Sequence, residues 1–162
     1  AVLMADGGTL KRKACPSRSE TLSPAAAAST PTPISSTARS AQGSARAARG
    51  DGEPTRISVC HCLACQRRTG SAFGSAAFFP AEAVTVAGES NTWTRAGEDG
   101  PGAIFHHCPT CGATVFWEPL FKPGFIAVAV GAFADPTFPP PEKQVYGETR
   151  HPWVAIEGVV ED

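Results

Sequence analysis

Two cysteine motifs constrain this sequence more than any other feature. Three thiols lie within six residues in Cys60-His-Cys62-Leu-Ala-Cys65, and Cys108-Pro-Thr-Cys111-Gly follows later in the chain. In an extended segment the side chains of Cys60 and Cys62 point to the same side, and a tight turn brings Cys65 to the same point. Three thiolates and one further ligand complete the tetrahedron of zinc. The sequence therefore predicts Zn²⁺ as the cofactor, with all five of these cysteines as metal ligands.

The second motif has the composition of a zinc knuckle. Pro109 fixes φ after the first cysteine, and Gly112 tolerates an unusual φ that turns backbone N–H groups toward the sulfurs. The pair Cys108 and Cys111 is therefore predicted to lie in a tight turn.

Other uses of these thiols are less consistent with the spacing. A disulfide needs an oxidising compartment, and one between Cys60 and Cys62 would close a strained ring. A redox pair at Cys62 and Cys65 would leave Cys60 and the knuckle unexplained. Spacing alone leaves open a single four-sulfur site made by Cys62, Cys65, Cys108 and Cys111, with Cys60 spare.

Composition divides the chain of 162 residues into parts. All thirteen aromatic residues follow residue 56, whereas residues 21–50 contain no Asp or Glu and consist mostly of small residues, Pro and Arg. Such a segment buries too little apolar area to offset the entropy of ordering it. We therefore predict a disordered low-complexity tail over 1–55, a zinc domain over 56–157 and a short C-terminal tail over 158–162.

Charge and hydropathy exclude some function classes. Residues 1–56 carry eight Lys/Arg and four Asp/Glu (net +4), and residues 57–162 carry six and eleven (net −5). An acidic domain argues against nucleic acid as a partner. The longest apolar run, residues 125–134, is half of what a bilayer requires, so no membrane association is expected. The expected location is the reducing cytoplasm, which favours metal over disulfide.

Short apolar segments separated by Gly and Pro predict an all-β domain of mostly antiparallel strands around zinc. One helical turn, 64–69, is expected to end at Gly70. Strands are predicted at 56–59, 73–79, 84–86, 91–95, 104–107, 113–117, 125–130, 143–147 and 153–156.

The motifs, taken together, resemble the glutathione-dependent formaldehyde-activating enzyme family, which also includes centromere protein V. The resemblance rests on four segments in order. They are the first cysteine motif with Gln66-Arg-Arg-Thr-Gly-Ser-Ala-Phe73, then Phe105 to Trp117 around the knuckle, then Val128-Ala-Val-Gly-Ala-Phe133, and finally His151-Pro-Trp-Val154.

The resemblance implies a small tent-like fold of two antiparallel sheets with two zinc ions. Cys60, Cys62 and Cys65 would hold a catalytic zinc, and the knuckle pair would share a structural zinc with an N-terminal Cys-x-Cys-Gly. This sequence has no Cys-x-Cys-Gly before Cys60, and Cys15 is its only earlier cysteine. The structural site is therefore expected to be incomplete, unless Cys15 supplies a third ligand.

The implied activity is that of a carbon–sulfur lyase, an S-(hydroxymethyl)glutathione synthase-like enzyme. It would add a small-molecule thiol such as glutathione to formaldehyde or a related small aldehyde, and catalyse the reverse. The alternative is a non-catalytic zinc-stabilised binding module. With zinc present the addition needs little acid–base machinery, so no catalytic residue beyond the ligands and no organic cofactor is predicted.

Several other side chains are weaker candidates for the site. Arg67 and Arg68 are the cations nearest in sequence to the thiols and would suit an anionic substrate. His61 alternates with the ligands, so it is expected to point away from the metal. Trp117 and Trp153 are expected in the core.

Overall fold

The structure is a computed structural model that describes residues 3–6, 9–12, 36–39, 46–50, 52–97 and 100–161. The chain forms two compact units, Ala1–Pro31 and Thr32–Asp162. The described part of the first unit is an antiparallel hairpin of β1 (Leu3–Asp6) and β2 (Thr9–Arg12). Cys15 lies outside the described residues.

The second unit is mostly β, as predicted, with one short α-helix. Its elements in chain order are β3 (Ser36–Arg39), β4 (Arg46–Gly50), β5 (Arg56–Cys60), α1 (Leu63–Thr69), β6 (Gly74–Pro80), β7 (Val84–Gly88), β8 (Asn91–Arg95), β9 (Ala103–His107), β10 (Thr114–Pro119), β11 (Phe125–Ala129), β12 (Lys143–Val145) and β13 (Val160–Glu161). Three short 3₁₀ helices, Ala81–Ala83, Val130–Phe133 and Gly147–Thr149, connect strands. None of the helices within the described residues is long and apolar enough to cross a membrane.

Two sheets build this unit. The larger has the strand order β13-β12-β5-β6-β11-β10-β9-β8, and the smaller has the order β3-β4-β7. Every pairing is antiparallel except those of β12, which runs parallel to both β5 and β13. The larger sheet is therefore mixed, because a segment more than eighty residues along the chain returns to lie beside the strand that leads into the cysteines.

The strands β3 and β4 lie within residues 1–55, for which the sequence predicted a low-complexity tail, and the division into domains stays a prediction. Backbone pairing of β4 with β7 satisfies the hydrogen bonds of this Ala- and Arg-rich segment, so few large apolar side chains are needed. Ala38 on β3 is completely buried in the core. At the other end, the predicted C-terminal tail holds β13, whereas the strand predicted at 153–156 does not form.

The larger sheet divides its side chains between two faces with a period of two residues. One face packs against the smaller sheet through an apolar core that includes Ile57, Phe79, Val115 and Val128. The opposite face carries a second cluster of Ala76, Phe78, Ala103, Phe105, Trp117 and Ala127. A register shift between Thr114 and Phe116 puts the neighbours Val115 and Phe116 into the same core.

One glycine is required by close backbone packing at the start of β9. Gly102 is buried, and a Cβ added to it would overlap the carbonyl oxygen of Arg95 on β8. We expect Gly102→Ala to lower the free energy of unfolding by about 1–3 kcal/mol, because the strands must move apart. Gly100→Ala is the matched control, since a Cβ there meets nothing within 4 Å. Thermal unfolding of both variants measures the difference, and equal midpoints would contradict this packing.

Candidate metal centre

The three cysteines of the first motif converge on one point. Their sulfur atoms all lie within 4.8 Å of one another. Cys60 is the last residue of β5, Cys62 precedes α1, and Cys65 lies in the first turn of that helix. Tetrahedral zinc with Zn–S bonds of about 2.3 Å separates its sulfurs by about 3.8 Å, so this arrangement fits zinc with small side-chain adjustment. Among the described residues, this is the only group of three or more Cys, His, Asp and Glu side chains that could hold a metal ion.

The local fold explains why the thiols converge. Cys62 is the N-cap of α1, and its sulfur accepts a hydrogen bond from the backbone N–H of Cys65 at 3.3 Å. The helix is capped at its C-terminus by Gly70, where the sequence predicted that it ends, and the φ of Gly70 is left-handed at 63°. Next to Cys60 in the sheet is Gly74, where a Cβ would lie only 3.1 Å from Nη2 of Arg68. The missing side chain lets α1 and its arginine pack closely on β6.

A hydrogen-bonded network ties the cysteine loop to the C-terminal segment. The amide nitrogen of Gln66 donates to the carbonyl oxygens of His61 at 2.7 Å and Thr149 at 2.9 Å, and the Gln66 Oε1 accepts from Nε2 of His151 at 3.0 Å. His61 is completely buried and donates through Nε2 to Gln144 at 3.1 Å. His61 lies outside the thiol cluster, as the alternation in sequence predicted. Its hydrogen bond to Gln144 holds the cysteine loop against β12.

The thiols differ in their pKa values. A hydrogen bond with Cys60 is the main cause that lowers the pKa of Cys65, to about 5, assisted by Cys62 and by the positive charges of Arg68 and Arg95. The same hydrogen bond, together with burial, raises the pKa of Cys60. The first proton lost by the metal-free cluster therefore comes from Cys65.

This ordering predicts a titration step near pH 5 in the metal-free protein. Thiolate ultraviolet absorbance is expected to rise by about one thiolate around that pH, and Cys65→Ser is expected to remove the step. Because the pKa of Cys65 is ordinarily 9.0, its contribution to the free energy of unfolding is present above pH 9 and is lost as the pH falls through 5. Cys111→Ser should keep the step, and thiolate absorbance that first rises above pH 7 would contradict the assignment.

A cavity of about 430 Å³ opens beside the three sulfurs. All three cysteines line it, together with the face of the larger sheet that carries Phe78, Phe105 and Trp117. Three guanidinium groups also line it, from Arg56, Arg68 and Arg95. Tyr146 and Phe121, both about half exposed, line it as well.

The knuckle forms the predicted turn but does not join the cluster. Gly112 has a φ of 71°, and its N–H donates to the carbonyl oxygen of Cys108 at 2.9 Å. The flanking strands β9 and β10, both predicted from sequence, pair as an antiparallel hairpin. Cys111 lines a separate cavity of about 670 Å³. The four-sulfur site that spacing left open does not form, and no third potential ligand among the described residues completes a group with Cys108 and Cys111.

The convergence of the three cysteines agrees with a comparison of the chain with known protein families. The family model described as glutathione-dependent formaldehyde-activating enzyme matches residues 44–149, well over half of the chain, and its span includes both cysteine motifs. The chain belongs to this family. The match begins inside the predicted tail, two residues before β4, and the boundary at residue 56 stays a prediction.

The other comparisons add little. No curated protein matches the chain significantly. Among solved structures, a Rhodobacter sphaeroides protein is 18% identical with a TM-score of 0.45, over 59% of this chain and 85% of that chain. A likeness of this size carries no functional argument.

The other residues that the sequence singled out differ in their position relative to the cavity of this family member. Arg68 lines the cavity, whereas Arg67 is exposed and lies outside its lining. Trp117 is in the core, as predicted, and also lines the cavity. The prediction for Trp153 is wrong, because 73% of its surface is exposed.

Sequence reasoning missed three cavity residues: Arg56, Arg95 and Tyr146. The position of Arg56 could have been inferred, since Arg56, Ser58 and Cys60 alternate along β5 and therefore lie on one face of the strand. The positions of the other two could not, because their strands come close to the cysteines only through long-range pairing.

Proposed function

We propose that this protein is a zinc-dependent enzyme of the carbon–sulfur lyase type. It adds a thiol such as glutathione to formaldehyde or a related small carbonyl compound, and it catalyses the reverse reaction. The observation that carries the proposal is the convergence of three sulfurs, within 4.8 Å of one another, on the wall of a cavity large enough for a small thiol. Family membership supports the same chemistry.

Cys60, Cys62 and Cys65 would hold the zinc ion. With three protein ligands, a bound zinc supplies an open coordination position and a Lewis acid that favours the deprotonated form of an incoming thiol. The knuckle pair lacks a complete ligand set among the described residues, so we expect one zinc per chain.

The reaction itself makes few demands on side chains. The thiol loses its proton, its sulfur bonds to the carbonyl carbon, and the electron pair of the C=O π bond moves to oxygen, which takes up a proton. Every atom of both substrates is retained, so no oxidant or reductant is required. Phe105 and Trp117 exclude water from one wall of the cavity, and Arg68 contacts Cys65, where its charge stabilises negative sulfur.

The test combines metal stoichiometry with turnover. Native mass spectrometry is expected to find one zinc per chain. Proton NMR exchange spectroscopy is expected to detect faster interconversion of formaldehyde and its thiol adduct when the zinc-loaded protein is added. One bound zinc with no acceleration for any of several thiols would favour the non-catalytic binding module instead.

A further inference from the structure

The knuckle pair occupies a turn that a disulfide can bridge. Cys108 and Cys111 are the first and fourth residues of a single helical turn, which Gly112 closes by donating its N–H to the Cys108 carbonyl oxygen at 2.9 Å. Helical geometry places the Cα atoms of such residues about 5 Å apart, inside the range of about 4.4–6.8 Å that disulfides span. The Cys108 N–H donates to the Ala113 carbonyl oxygen at 2.9 Å just before β10 begins, so backbone hydrogen bonds fix the turn at both ends.

The two thiols of the turn differ in their access to solvent. Cys108 is 1% exposed, whereas Cys111 is half-buried and lines the cavity of about 670 Å³. Redox dithiols commonly show this division, with an accessible sulfur that reacts first and an adjacent sulfur that resolves the adduct. In the knuckle these two roles fall to Cys111 and Cys108 respectively.

The cavity beside Cys111 has the size and the lining of a small-molecule site. Its volume lies within the range of about 300–1,000 Å³ that is typical of ligand pockets. The rings of Phe73 and Phe133 line it, together with the guanidinium groups of Arg39 and Arg68. Five side-chain hydroxyl groups complete the polar part of the lining, from Thr37, Thr69, Ser71, Ser75 and Thr114. Such a mixed lining suits a small polar disulfide that approaches the Cys111 sulfur.

The ligand set at the knuckle does not fit the structural zinc that the family resemblance implies there. Structural zinc takes four protein ligands. The described residues offer no third Cys, His, Asp or Glu that completes a group with Cys108 and Cys111. Two thiols within one turn then have thiol–disulfide exchange as their characteristic chemistry.

We infer that Cys108 and Cys111 are a redox-active dithiol that reduces small-molecule disulfides, an activity separate from the proposed zinc chemistry. The Cys111 sulfur bonds to one sulfur of the disulfide, whose S–S bond breaks, and the other half leaves as a thiol with the Cys111 proton. The Cys108 sulfur then bonds to that of Cys111 and displaces the first half, which takes the Cys108 proton. Each cysteine loses one electron and the reagent gains both, and an excess of thiol reverses the two steps.

Trapping the mixed disulfide tests the order of these steps. The full-length zinc-loaded protein is treated with bis(2-hydroxyethyl) disulfide and analysed by intact-mass spectrometry and peptide mapping. The unmodified protein should form the Cys108–Cys111 disulfide, at least about tenfold more abundant than the mercaptoethanol adduct. Cys108→Ala should accumulate that adduct on Cys111, because the resolving sulfur is absent. Cys111→Ser should react at Cys108 at least about tenfold more slowly than Cys111 reacts in the unmodified protein.

Two further measurements control for folding and for the remaining cysteine. Alanine at position 108 keeps a small apolar side chain in a buried place, and circular dichroism checks that the variant folds. If Cys108→Ala does not fold, peptide mapping of the unmodified protein still decides whether the Cys108–Cys111 bond forms. Cys15→Ser is the matched control, because it replaces the one cysteine outside both motifs, and it should oxidise as the unmodified protein does.

Zinc content separates a redox dithiol from a metal site. Oxidation of the knuckle should leave one zinc per chain, because the three converging thiols form a group without Cys108 and Cys111. Two zinc ions per chain, one of them lost in Cys111→Ser, would assign the pair to metal and overturn the inference. An unmodified protein that forms no Cys108–Cys111 disulfide would overturn it as well. If no zinc binds and the disulfide still forms, the proposed function fails and the dithiol stands.

Discussion

Replacing Cys62 with serine is expected to abolish the exchange activity and to lower zinc affinity by more than about 100-fold. Serine removes the sulfur ligand but remains a good N-cap, so its oxygen can accept the Cys65 N–H as the thiol does. The helix that positions Cys65 should therefore survive. The measurements are zinc content by native mass spectrometry, exchange by NMR, and far-ultraviolet circular dichroism for the fold.

The control for this substitution is Cys111→Ser in the knuckle, which lies outside the converging thiols. It should retain both zinc and activity. If Cys62→Ser keeps one tightly bound zinc and exchanges at the original rate, Cys62 is not a ligand and the proposed centre is wrong.

The largest loss of stability is expected from a substitution in the apolar core between the larger and the smaller sheet. Phe79 is 1% exposed and packs between the two sheets. Phe79→Ala should lower the free energy of unfolding by about 3–5 kcal/mol, a large part of the 5–15 kcal/mol typical of a domain. Urea denaturation at fixed zinc concentration measures this as a lower midpoint with an unchanged slope.

Trp153 provides the comparison for that loss. It is a larger aromatic side chain but is mostly exposed, so Trp153→Ala should change the free energy of unfolding by less than about 0.5 kcal/mol. Equal losses for the two variants would mean that burial does not determine how much each substitution lowers the free energy of unfolding.

Much of the site could be predicted from local sequence. Cys60, Cys62 and Cys65 converge because the end of a strand, an N-cap and the first turn of a helix are all local features. These features depend on neighbours a few residues apart, which a sequence displays directly.

What could not be predicted depends on contacts between distant segments. The parallel pairing of β12 with β5 brings Tyr146 to the cavity, and the pairing of β8 with β9 brings Arg95 there. The strands β3 and β4 were missed because their composition lacks large apolar residues. In the structure β3 pairs with β4, and β4 pairs with β7, so backbone hydrogen bonds hold them in a sheet. Trp153 was misplaced because size and hydropathy do not reveal which side of a turn faces solvent.

The period-two division of the larger sheet has a consequence for how this protein can change. Odd and even positions of β5 face different surroundings, so a substitution at Arg56 or Ser58 alters the lining of the cavity beside the cysteines and leaves the packing of Ile57 and Val59 intact. The shape and charge of that cavity can therefore change by single substitutions without rebuilding the sheet. A one-residue insertion or deletion within the strand has the opposite effect, because it would turn Arg56 inward and expose Ile57.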